Sequence, residues 1–90
     1  MNKLETARAQ ISEIDRQMAA LFEQRMQAVE LVAEHKREHG LPILDTAREQ
    51  ALIERNSNYI RNGVIREYYV QFLKNTMVLS RDYQARLGQR

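Results

Sequence analysis

An all-α fold of three helices, in the order long, short, medium, is what this sequence predicts. Apolar residues recur three and four positions apart over most of the chain, only three Gly and one Pro interrupt its 90 residues, and the strongest breaks fall at two places, around 40–42 and 62–63. With 43% hydrophobic and 29% charged residues, the composition is that of a single soluble domain.

The first helix is expected over about residues 3–39. Its stripe reads Leu4, Ala7, Ile11, Ile14, Met18, Leu21, Ala28 and Val32, a heptad seam on an amphipathic helix. Arg25 occupies the seam position between Met18 and Val32, and a cation inside an apolar stripe needs an anion to meet it. Such a helix is about 50 Å long, whereas a compact globule of this size has a radius of gyration of about 12 Å. One chain cannot bury so long a stripe against itself, so an intertwined homodimer is expected.

Gly40 and Pro42 end the first helix, and Asp45 is a good N-cap for a second, expected over about 46–61 and stopped by Asn62-Gly63. A third helix is expected over about 64–87, burying Ile65, Tyr69, Phe72, Leu73, Met77, Leu79 and Tyr83. No repeat or linker divides the chain, which reads as one domain over 1–90.

Several function classes are excluded as expectations. A net charge of +2, with basic residues interspersed among acids, gives no footprint for nucleic acid. The chain has no Cys, so disulfides, a thiolate nucleophile and zinc-finger spacing are out. The start MNKLETARAQ lacks an apolar signal core and no stretch is long enough to span a bilayer, so cytoplasmic residence is the default. His35 and His39 lie four apart, but nothing completes a metal set, and they read as two solvated histidines. Tyr68 and Tyr69 read as packing residues, and Arg81, Arg86 and Arg90 as a solvated face.

The candidate binding residues are mostly polar groups on helical faces. Arg25 and Lys36 are eleven residues apart, about 16 Å along the axis, and point the same way, so that their long side chains can close on one small ligand. Arg8 lies seventeen residues before Arg25, about 25 Å away, too far to share that ligand from the same straight helix. If all three serve one site, Arg8 comes from a second chain. Asp45, Arg48 and Glu49 open the second helix within one turn, an arrangement that ordinary capping also explains. Ser80 and Gln84 put a hydroxyl and an amide, one turn apart, on an otherwise apolar face.

Taken in order, Arg8 in ARAQISEID, Arg25 in FEQRM, Lys36 in AEHKREHGLPI, then LDTARE and SRDYQ, these blocks resemble the all-helical chorismate mutases over essentially the whole chain. The resemblance implies a homodimer with two active sites, each borrowing Arg8 from the partner's long helix, and conversion of chorismate to prephenate without metal or cofactor. It implies that Arg8 and Arg25 bind the substrate's two carboxylates, with Ser80 a further carboxylate contact and Arg48 nearby. Lys36 and Gln84 match the pair that donates to the ether oxygen, Glu49 matches the residue that meets the ring hydroxyl with Asp45 beside it, and Val32, Leu52 and Met77 supply apolar walls. The chemistry fits this set, because a unimolecular rearrangement needs conformational restraint and fixed donors rather than a nucleophile. Some members carry Glu at the position of Gln84, which must be protonated to donate; with Gln84, turnover is expected to vary little with pH. The stretch from Asn56 to Asn75 holds no diagnostic residue. The alternatives are an isochorismate pyruvate lyase on the same scaffold and a non-catalytic helical dimerisation module, which leaves Arg25 in the seam without a reason.

Overall fold

The computed structural model describes residues 1–89 and contains three helices, α1 (Lys3–Glu38), α2 (Thr46–Ser57) and α3 (Gly63–Leu87), with no strand among them. Arg90 lies outside the described residues.

The start of α1 is fixed by Asn2, whose Oδ1 accepts from Glu5 N at 2.8 Å. Its end is a Schellman turn: Gly40 takes φ 62°, Gly40 N donates to Arg37 O and Leu41 N donates to Lys36 O at 2.8 Å. Glycine is the residue that adopts this left-handed geometry without a Cβ clash. Pro42 follows, and Asp45 opens α2 as expected, its Oδ1 accepting from Arg48 N at 3.0 Å.

The second helix is shorter than its sequence pattern predicts, ending at Ser57 rather than near Arg61. Two polar side chains compete for the backbone there, Ser57 Oγ and Asn58 Nδ2 both donating to Glu54 O. Arg66 reaches back from α3 to hold the connecting segment, donating to Ser57 O at 3.1 Å and to Ile60 O at 2.7 Å. Asn62 is therefore not a stop for α2. It is the N-cap of α3, accepting from Val64 N and Ile65 N.

Both α1 and α2 pack on α3, and not on each other. The buried apolar residues are few: Val29 and Ala33 from α1, Leu73 and Met77 from α3. The contact stripe of α1 thus runs through Val29 and Ala33, whereas the expected seam ran through Ala28, which is exposed. A straight helix drifts about 20° per heptad against a strict seven-residue repeat, enough to move the contact by one position along a long helix. On α3 the expected face is also narrower than predicted: Ile65, Phe72 and Leu79 are exposed in the single chain, while Tyr69 and Tyr83 are half-buried. Tyr69 stacks on Phe72, whereas Tyr68 points to solvent rather than packing.

The first half of α1 projects beyond this core. Leu4, Ile11, Ile14, Met18 and Leu21 remain between 44% and 61% exposed. The long axis of the molecule, 55 Å, is set by the 36-residue helix, about 54 Å by its rise, and the radius of gyration is 16.4 Å. No described helix is long and apolar enough to cross a membrane.

Candidate active site

The polar end of the core opens into a cleft of about 170 Å³ between the three helices. On α1, Arg25, Val29, Val32 and Lys36 face it, at spacings of four, three and four. On α3 the buried series Leu73, Met77, Ser80 and Gln84 has the same spacing, and its last three members line the cleft. The cleft is therefore a continuation of the α1–α3 core in which apolar residues give way to polar ones. The Schellman turn and loop bring in Ile43, and the first two turns of α2 bring in Asp45, Arg48, Glu49 and Leu52.

Seven of the eight binding residues expected from sequence thus meet at one place, together with the expected walls Val32, Leu52 and Met77. The exception is Arg8, which is exposed on the projecting half of α1 and does not line the cleft. Its seventeen-residue separation from Arg25 along an unbroken helix amounts to about 25 Å.

Hydrogen bonds fix much of this constellation. Arg25 Nη1 donates to Ser80 Oγ in a close contact, and Ser80 Oγ donates onward to Thr76 O at 2.9 Å. Lys36 Nζ donates to Ile43 O at 2.6 Å, tying the end of α1 to the loop. An ammonium has three donors, so two of them stay available to a ligand. Gln84 is only 8% exposed and its Oε1 finds no partner among the described residues. A buried acceptor left unpaired is costly, which makes Gln84 a poor choice for packing; donation to a bound group would fall to its Nε2, since Oε1 only accepts.

Sequence reasoning missed Arg81, which was expected on a solvated face. It is half-buried in the cleft wall, and its Nη1 donates to both carboxylate oxygens of Glu49. Arg81 follows Ser80 directly, about 100° further round the helix, so the two neighbours reach α2 and α1 respectively. Its position four residues after Met77 was the available signal. Val29 and Ile43 were also missed. Arg86 is exposed, as expected.

Four cations (Arg25, Lys36, Arg48, Arg81) and two carboxylates (Asp45, Glu49) face the cleft, a balance of 4 − 2 = +2. A larger hollow of about 570 Å³ beside the C-terminal ends of α1 and α3 has a different character, its charged lining being Glu30, Glu34 and Arg37. The imidazoles of His35 and His39 stack at 4.2 Å on the exposed end of α1, and no group of three potential metal ligands occurs among the described residues.

In an all-α chain, a small cationic cleft walled by aliphatic residues and furnished with an amide and a hydroxyl has the chemistry to receive a compact anion. Comparison with known proteins is more specific. The chain belongs to the chorismate mutase type II family, whose pattern it matches over residues 7–85. The T-protein of Haemophilus influenzae is 37% identical over 54 residues, which are 60% of this chain and 14% of that protein. No solved structure matches the chain.

Proposed function

We propose that this chain is a chorismate mutase, converting chorismate to prephenate by a [3,3] rearrangement. In that step the ether C–O bond breaks as a C–C bond forms between the enolpyruvyl methylene and the ring, with no atom gained or lost. The observation that carries the proposal is the placement of Arg25 and Lys36 opposite Ser80 and Gln84 around one cleft, in a chain of this family.

The barrier to such a rearrangement falls when the enolpyruvyl arm is held over the ring and when charge developing on the ether oxygen meets fixed donors. Arg25, with its fork oriented by Ser80, binds one carboxylate, and Arg8 of a second copy binds the other. Planar guanidinium groups suit that task because they stay charged and offer paired donors. Lys36 and Gln84 donate to the ether oxygen. Lys36 contributes the larger share, since a positioned full charge in a water-poor site acts more strongly than a neutral amide. Glu49 accepts from the ring hydroxyl, Asp45 lies beside it, and Arg48 adds to the positive field around the carboxylates. A net cleft charge of +2 from one chain matches a dianion.

The homodimer belongs to the same proposal. Ligand clefts usually enclose about 300–1,000 Å³, and the 170 Å³ here is small for such a site. The exposed stripe from Leu4 to Leu21 is an apolar surface of the kind that a second copy covers, and it carries Arg8 with it. The product is formed in the route to phenylalanine and tyrosine.

The test is loss of chorismate absorbance with the purified chain, with the product identified. Prephenate supports the proposal. Inertness toward chorismate, or release of salicylate and pyruvate from isochorismate at a higher rate, removes it.

A further inference from the structure

Glu49 poses an electrostatic problem for the site. Its carboxylate faces the same cleft as Arg25 and Lys36, where a substrate carrying two carboxylates is to be bound. An uncompensated anion there repels the ligand that the cations attract. Arg81 meets both Glu49 oxygens through a single nitrogen, Nη1, with the two side chains 30% and 24% exposed, so the pair is held largely within the protein. It also ties α2 directly to α3 at the cleft, beside the Arg25–Ser80 tie between α1 and α3.

We propose that Arg81 is a positioning residue that neutralises Glu49 and fixes the direction of its carboxylate, so that Glu49 can accept from a ring hydroxyl without repelling a dianionic substrate. This rests on the reading of the chain as a chorismate mutase and adds to it a residue that touches no reacting atom. Two oxygens with about four lone-pair directions leave Glu49 free to accept a further hydrogen bond while Arg81 holds it. The contact is made alike in the ground state and the transition state, so its loss falls on KM rather than kcat. Because a single nitrogen makes the contact, a lysine ammonium can replace much of it.

The experiment compares kcat and KM for chorismate in the unsubstituted chain, Arg81→Met, Arg81→Lys, Glu49→Gln and Glu49→Gln/Arg81→Met, with helicity followed by circular dichroism. Arg81→Met is expected to raise KM about tenfold or more with kcat changed less than about twofold, in line with the cost of losing a hydrogen bond to a charged group. Arg81→Lys is expected to recover most of that loss. In the Glu49→Gln background, Arg81→Met is expected to change KM by less than about twofold, because the two act as one unit. The inference is overturned if the effect of Arg81→Met persists in full in that background, if the loss appears in kcat, or if Arg81→Lys is no better than Arg81→Met. Should Arg81→Met fail to fold, Arg81→Gln, neutral but able to hydrogen-bond, takes its place in the same cycle under the same criteria. A wild-type chain inert toward chorismate overturns the parent reading as well; an active chain whose variants are additive overturns this inference alone.

Discussion

Mixing two inactive variants tests whether Arg8 acts in the partner's site. Arg25, Lys36, Arg48, Ser80 and Gln84 line one cleft within one chain, while Arg8 lies about 25 Å along α1 from Arg25. Truncating one partner of a buried charge pair costs about 2–5 kcal/mol, so Arg8→Ala is expected to lower kcat/KM by about thirtyfold to several thousandfold. Lys36→Ala is expected to be at least as severe. When equal amounts of the two variants exchange subunits at random, about half of the dimers are mixed, and symmetry gives each mixed dimer one site with both residues intact and one with neither. The mixture should therefore recover about a quarter of wild-type turnover, far above either parent. If Arg8 serves its own chain, every site in every dimer lacks one residue and nothing is recovered. The assay is chorismate consumption, with exchange verified by native mass spectrometry on subunits of different tag mass. Demonstrated exchange with turnover no higher than the mean of the parents refutes the donation.

Three further outcomes follow from the geometry. Lys36→Ala, measured alone with saturating chorismate, should lower kcat by about a hundredfold to a thousandfold, the usual cost of removing a preorganised donor to a developing oxyanion; near-normal turnover takes Lys36 out of the site. Gln84→Glu should convert a flat pH profile of kcat into one that falls as pH rises, because a carboxyl donates only while protonated and the amide has no such requirement; a wild-type profile that itself falls steeply above neutrality counts against Gln84 as the donor. Arg66→Met removes the hydrogen bonds to Ser57 O and Ile60 O and should cost about 1–3 kcal/mol. That corresponds to a fall in Tm of roughly 4–8 °C per kcal/mol for a domain of this size, and an unchanged Tm would show that the α2–α3 connection holds without it.

Most of what was legible in the sequence was periodic or local. The eleven-residue step from Arg25 to Lys36 is three helical turns in any α-helix, so their common face followed from spacing alone. Gly40 and Asp45 announce a C-cap and an N-cap by conformational preferences that hold without tertiary contacts. What was not legible depends on placement between helices. Arg81 reads as one more surface cation until α2 is laid against α3, since its partner Glu49 is 32 positions away in sequence. The early end of α2, where Ser57 and Asn58 turn back on Glu54 O, is also held from outside by Arg66, which reaches back from the next helix to Ser57 O and Ile60 O. The shift of the α1 contact from Ala28 to Val29 reflects the drift of a straight helix against a strict seven-residue repeat, which a heptad reading of the sequence leaves out.

The two stripes of α1 also account for how so small a core can hold cations at its edge. Placing Arg25 and Lys36 beside Val29 takes charge partly out of water, and desolvation of an ion costs several kcal/mol unless hydrogen bonds and opposite charge offset it. Ser80 Oγ supplies part of that offset for Arg25 and Ile43 O part of it for Lys36 within the chain. Four buried apolar residues, Val29, Ala33, Leu73 and Met77, leave little stability to spare for the rest. The exposed stripe on the projecting half of α1 is where more can come from, because each large aliphatic side chain fully covered contributes about 1.5–3 kcal/mol and twofold symmetry would count each one twice. If a second copy covers that stripe, the length of α1 would serve two ends at once: its first half would supply apolar area that stabilises a cationic cleft, and would carry Arg8 to the cleft of the other copy. On the proposed dimer a shorter helix would forfeit both, so that loss of turnover and loss of association are expected together when α1 is shortened from its first half.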